Sequence, residues 1–236
     1  MKQELARFVI IPIVWVWAGL SLYSSQARAQ EVDDPFWDVL QDTLVSSVPP
    51  NLRAPVEAME AGEFAAAAAE LNEIVRRDSS DFQALRLLAS AYANLDAYFQ
   101  AIQVCRRIAL LDSVDAGVSV AIGYFHQKQG DLEAAEQHYK LALLQDPGII
   151  QAYQGLGWIY LRRRNLEEAL AMASKTAERA PNYAPSYVLM GRVLTAQGFY
   201  DAAAVAYRRA FRLKPALRER FGILLQELTF RHNLER

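Results

Sequence analysis

Across residues 132–145 the apolar positions Leu132, Ala135, Tyr139, Ala142 and Leu143 recur at steps of three and four, with Glu133, Glu136 and Lys140 between them. A helix turning every 3.6 residues gathers such positions on one face. The run from Leu132 to Gln145 therefore predicts a helix. Gly117 to Lys128 predicts the helix before it, with Gly130-Asp131 as the turn between them. Asp146-Pro147 ends the pair, because proline lacks an N–H and clashes with the preceding turn. From Gln30 onward no stretch alternates apolar and polar residues with period two over a useful length. The pattern predicts an all-α fold.

The pattern repeats. Ala67, Ala101, Ala135, Ala169 and Ala203 are spaced by 34 residues, as are Pro147, Pro181 and Pro215, and Gly123, Gly157 and Gly191. Gly62, Gly130 and Gly198 fall at multiples of the same step. Three residue types in one register predict five helix-turn-helix units, at 48–81, 82–115, 116–149, 150–183 and 184–217. Residues 218–236 form an expected capping helix, with Phe221, Leu224, Leu225 and Leu228 on its inner face.

These residues resemble the tetratricopeptide repeat. That family carries a large residue, Leu-Gly and Tyr in its first helix, then Ala, an aromatic and Ala in its second, and Pro at the end. The fourth unit matches with Tyr153, Leu156-Gly157, Tyr160, Ala169 and Pro181, but has Ala173 in the aromatic slot. The fifth supplies Tyr187, Met190-Gly191, Ala203, Tyr207, Ala210 and Pro215; the third, Ile122-Gly123, Ala135, Tyr139, Ala142 and Pro147. The second is looser, with Leu88-Ala89, Tyr92 and Ala101, and Cys105 in the aromatic slot. In the first, Pro55 stands where a small glycine belongs, so its opening helix is expected to be short or bent. The resemblance implies a right-handed superhelical solenoid of about five repeats, each stacked on its neighbour because a lone hairpin cannot bury its apolar face.

The N-terminus departs from this register. Lys2 and Arg7 precede an apolar run from Phe8 to Tyr23, and Ala27-Arg28-Ala29 follows. A basic start, a short apolar centre and an A-x-A end form the pattern of a secretory signal, with cleavage expected after Ala29. The alternative is a retained anchor at residues 8–23, with the rest of the chain facing the periplasm; the run is short for a membrane span. Residues 30–47 are acidic and punctuated by Pro35, and are expected to form a linker with one short helix near Phe36 to Leu44. The expected location is periplasmic or secreted.

Composition narrows the chemistry. The 236 residues are 53% hydrophobic, enough for a sizeable core. One cysteine, Cys105, excludes an intramolecular disulfide. The net charge of −2 argues against binding nucleic acid through phosphates. The charge is uneven: residues 31–81 sum to −9 and residues 184–236 to +5. His126 takes a slot held by tyrosine in neighbouring units, and His138 lacks a carboxylate at ligand spacing, so no metal and no cofactor are expected. Neither a G-x-S-x-G nor an H-E-x-x-H motif occurs, and Glu133, Glu136, Glu167 and Glu168 read as solvated second-helix faces. The chain is expected not to be an enzyme.

Binding remains. In the resembling family the first helices line a concave groove. Carried over residue by residue, Ser90, Tyr124, Trp158 and Arg192 face it, flanked by Arg86, Val120, Gln154 and Val188 and by Asn94, Lys128 and Arg162. The partner-binding residues expected are Arg86, Tyr124, Lys128, Gln154, Trp158, Arg162 and Arg192. Flat aromatics with cationic neighbours suit a protein or an extended peptide with apolar anchors, acidic groups or a C-terminal carboxylate. The family's carboxylate clamp is not matched, since Arg86, Ser90 and Ala121 hold its places. The expected role is an exported adaptor or scaffold within a cell-envelope assembly. The alternatives are self-assembly of acidic and basic ends into a homo-oligomer, and an accessory subunit presenting glycan or lipid to an envelope enzyme.

Overall fold

The computed structural model describes residues 48–222, apart from residues 113 and 220. The expected signal at 1–29, the expected linker at 30–47 and Leu224, Leu225 and Leu228 of the expected cap lie outside the described residues. A 3-10 turn at Pro50–Leu52 leads into ten α-helices. They are α1 Arg53–Glu60, α2 Phe64–Arg77, α3 Phe82–Asn94, α4 Tyr98–Leu111, α5 Ala116–Gln129, α6 Leu132–Gln145, α7 Ile150–Arg162, α8 Leu166–Arg179, α9 Ala184–Gln197 and α10 Tyr200–Leu213. No strand occurs among the described residues.

Consecutive helices pair as hairpins, α1 with α2 through α9 with α10, and each second helix also packs on the first helix of the next hairpin. First helices touch directly as well, α5 with α7 and α7 with α9. The result is an all-α solenoid, stabilised by nearest-neighbour contacts.

Local chemistry sets the helix ends. The Asp81, Asp115 and Asp131 carboxylates accept from the amides of Ala84, Val118 and Ala134 at 2.9, 3.2 and 3.0 Å, satisfying first-turn N–H groups. The corner inside each hairpin requires a left-handed residue. Gly62, Gly130 and Gly198 supply it with φ of 79°, 86° and 85°. At the two intervening corners Asp96 and Arg164 adopt φ of 55° and 65° despite their side chains. Pro55, inside the short α1, is buried.

The core sits between the helix layers. Ala67, Ala101, Ala135, Ala169 and Ala203 are all fully buried where α2, α4, α6, α8 and α10 meet their neighbours. Large and small residues alternate across successive hairpins. The buried Tyr139 ring on α6 lies against Gly155 on α7, where a Cβ would come within 2.3 Å of it. One hairpin later the small residue is Ala173 on α8, and Leu189 on α9 joins it in the same cluster. The absent aromatic at Ala173 is thus met by a large residue from the next hairpin, within one buried cluster. Leu217 and Phe221 are buried beyond α10, and Phe221 stacks 6.1 Å from Tyr207.

Candidate functional site

Four first helices carry the residues expected to meet a partner, one per turn along each helix. α3 contributes Arg86, Ser90 and Asn94; α5, Val120, Tyr124 and Lys128; α7, Gln154, Trp158 and Arg162; and α9, Val188 and Arg192. Spacing of four residues aligns each set on one helical face.

The structure divides this face in two. Toward the start of the helices, it is closed by internal contacts. The Arg86 guanidinium forms an ion pair with Asp115, the residue capping α5, and stacks 4.8 Å over the Phe82 ring. Gln154 is fully buried, and its amide donates to the Pro185 carbonyl at 3.1 Å, linking α7 to the first turn of α9. Val120 on α5, Val188 on α9 and Ser90 on α3 are buried as well. Arg86 and Gln154 therefore join neighbouring hairpins.

Toward the helix ends, polar and aromatic groups emerge. Tyr124 is itself buried, set edge-on to Phe125 with centroids 5.6 Å apart, while the Lys128 ammonium lies 5.2 Å above its ring. Trp158 is half-buried, and the Arg192 guanidinium of α9 stacks 4.9 Å over its ring. Arg162, one turn beyond Trp158, is exposed. The structure therefore brings Trp158 and Arg192 together across two hairpins and sets Lys128 above Tyr124. A flat indole beside guanidinium groups can hold an apolar or aromatic anchor with an anionic neighbour.

Two clusters escaped the sequence reading. His126 and His138 stack across the α5–α6 hairpin with centroids 5.6 Å apart and ring planes 9° from parallel. Burial holds both imidazoles below their usual range, with the Arg106 charge adding to the effect. The second is an acid clamp. Arg163 at the end of α7 bonds Glu136, and Glu133 at 2.8 Å, both on α6, and Lys140 pairs with Glu136 at 2.5 Å. The hydrogen bond from Lys140, helped by Arg163 and offset in part by burial, keeps the Glu136 carboxyl below the usual range. Glu133 and Glu136 thus serve an inter-hairpin contact. Only their i,i+3 spacing hinted at a common partner. Cys105 is buried, and burial pushes its thiol up to about 12. Among the described residues no group of three or more His, Cys, Asp or Glu is placed to hold a metal ion.

Sequence models of the tetratricopeptide repeat match residues 56–116, 126–193 and 184–217, together more than half of the chain. The human protein O-mannosyl-transferase TMTC1 is 24% identical over 132 residues. That match takes in 54% of this chain but only 15% of the human protein's length. Among solved structures, MamA is similar with a TM-score of 0.60 at 18% identity, covering 74% of this chain and 99% of its own. YrrB, described as a TPR protein with an unusual peptide-binding site, is similar with a TM-score of 0.52 at 16% identity, over 78% and 94% of the two chains. These likenesses concern the fold.

Proposed function

We propose, for a chain that belongs to the tetratricopeptide repeat family, that it is a non-enzymatic adaptor holding a protein or peptide on the open end of its first-helix face. The observation that carries this reading is the half-buried Trp158 under the Arg192 guanidinium, with Arg162 exposed one turn away. Buried aromatics with a neighbouring arginine are the side chains that dominate binding energy at protein interfaces. Arg86 and Gln154 are engaged inside the solenoid, where each ties its helix to the next hairpin. The partner chemistry that fits is an apolar or aromatic anchor followed by a carboxylate. The peptide-binding site named for YrrB agrees with this use of the fold.

The site of action proposed is the cell envelope, on the strength of the basic start, the apolar run from Phe8 to Tyr23 and Ala27-Arg28-Ala29. N-terminal sequencing of the protein recovered from an envelope fraction tests it. A chain beginning at Gln30 supports export with cleavage. An intact Met1 in the cytosol removes the envelope role.

The adaptor reading is tested by cross-linking in cells followed by mass spectrometry, comparing the native chain with a Trp158→Ala, Arg192→Glu variant. Capture of one partner by the native chain and its loss from a variant with unchanged circular dichroism supports the reading. Equal capture by both overturns it. Self-cross-links joining residues 31–81 to 184–236 in both forms would favour assembly through the acidic and basic ends instead.

A further inference from the structure

Away from the first-helix face, large apolar side chains gather at one edge of the second and third hairpins. Leu110 is 86% exposed and Leu144, one repeat further on, 82%. Leu111, Leu141 and Val114 are exposed around them. The equivalents of Leu110 in the other units are Arg76, Glu178 and Arg212, so the apolar character belongs to this place and is not a property of the repeat. Arg106 and Arg107 lie one turn before Leu110 and Leu111 on α4, exposed and without an ion pair among the described residues. The carboxylates at this edge are turned onto their own backbone: Asp112 accepts from the Val114 amide at 3.1 Å, and Asp146 from the Gly148 amide at 2.7 Å. The surface is therefore apolar with a cationic flank.

The chain carries a segment of matching chemistry. Residues 36–44 read Phe-Trp-Asp-Val-Leu-Gln-Asp-Thr-Leu, with Phe36, Leu40 and Leu44 spaced by four and Asp38 and Asp42 between them. No Lys or Arg occurs from Ala29 to Leu52. The chain also enters the described structure at the right edge. Val48 packs on the core shared by the first hairpins, and the Asn51 amide reaches Asp81 at 3.4 Å, in the turn between α2 and α3. That turn is the counterpart of the one holding Val114, between α4 and α5. Neighbouring helices pack about 10 Å apart, so two repeat steps separate Val48 from the apolar edge by about 20 Å. From Leu44 to Val48 the chain can span up to about 14 Å, and nine residues can span about 13 Å as a helix and about 30 Å fully extended. The segment reaches.

We infer that residues 36–44 dock in their own chain on the Leu110–Leu144 edge, with Asp38 and Asp42 toward Arg106 and Arg107. This gives the solenoid a second interaction surface, distinct from the Trp158 face and covered by the chain's own acidic arm.

Hydrogen exchange measured by mass spectrometry on the full chain tests the inference, with two reciprocal variants: Leu110→Asp, Leu144→Asp on the edge and Trp37→Asp, Leu40→Asp on the arm. The edge substitutions fall on exposed positions, so the helices persist and circular dichroism checks it. The expected result is exchange in 36–44 slowed about tenfold in the native chain at every protein concentration, and released by the edge variant. The arm variant in turn speeds exchange at 108–112 and 141–146. Arg106→Glu, Arg107→Glu weakens the protection, and adding Asp38→Lys, Asp42→Lys restores it. Fast exchange of 36–44 in the native chain overturns the inference, as does protection that survives the edge variant. Protection that rises with protein concentration assigns the edge to a second copy and also overturns it.

Discussion

Gly155→Ala places a methyl group where the solenoid has no room for it. A Cβ at Gly155 would lie 2.3 Å from Tyr139 Cζ and 2.5 and 2.6 Å from its two Cε atoms. Ordinary contact would require the ring to retreat by about 1 Å. The same ring also packs against Gly123 on α5, where a Cβ would come within 3.1 Å of it, so Tyr139 fills the space that two glycines leave. The Tyr139 hydroxyl also donates to Gln127 at 3.0 Å, which holds the ring's far end. Tyr139 is fully buried, so any shift of its ring must displace neighbouring core atoms. Overpacking of this kind costs about 1–3 kcal/mol. Helix propensity acts in the opposite sense, favouring alanine over glycine by about 1 kcal/mol. Net destabilisation of up to about 2 kcal/mol is expected, read as a lower urea midpoint by far-ultraviolet circular dichroism. A Tyr139→Leu partner variant separates the causes. With the ring gone the methyl group fits, so the double variant should be less destabilised than the sum of the singles by about 1 kcal/mol or more. If Gly155→Ala alone raises stability, or the two changes add, the close approach of α7 to Tyr139 is not what requires glycine there.

Three further outcomes follow from the corners and the buried groups. Arg164→Gly relieves a left-handed backbone at φ 65° and should stabilise the fourth hairpin by about 1 kcal/mol in urea titration. Asp96→Gly should gain less, since aspartate tolerates that region better. The histidine stack makes the third hairpin acid-sensitive. Both imidazoles are held below the ordinary value of 6.5, so the unfolded chain binds protons first as pH falls. Their contribution is intact above pH 6.5 and declines as pH drops below it toward the lowered folded values. His138→Gln should flatten that decline, measured as urea midpoints between about pH 7.5 and 5.5. Cys105, raised from 9.0 to about 12 by burial, should react with a thiol reagent about a thousandfold more slowly in the native chain than in urea. Equal rates would place the thiol at the surface.

The expectation of a periplasmic adaptor rests on the sequence pattern of residues 1–29 and on the repeat resemblance, and the described residues bear on the repeat alone. The groove residues were legible as positions but not as environments. Counting one residue past each small Gly or Ala put Trp158 and Arg192 on the same face, and they do meet, at 4.9 Å. The same counting gave equal standing to Gln154 and Arg86. Gln154 is wholly buried beneath Pro185, and Arg86 is held by Asp115. Nothing in a helical register distinguishes these cases, because the partners lie about thirty residues away on the next hairpin.

What the amino-acid sequence determined by itself is the set of features whose causes are local. Helix type follows from apolar spacing within a few turns, capping from Asp81, Asp115 and Asp131 three residues before the amides they accept from, and the corners from Gly62, Gly130 and Gly198. These interactions close within about four residues, so a window of sequence contains both partners. The tertiary structure decided how volume is shared between hairpins and where charge is neutralised. Tyr139 needs Gly155, Ala173 is compensated by Leu189, and Glu133 with Glu136 meets Arg163. It also left Leu110 and Leu144 outside while equally apolar neighbours went in. The physical reason is that dense packing couples side chains by distance in space, and a periodic sequence fixes each helix's facing without stating which residue stands across from it.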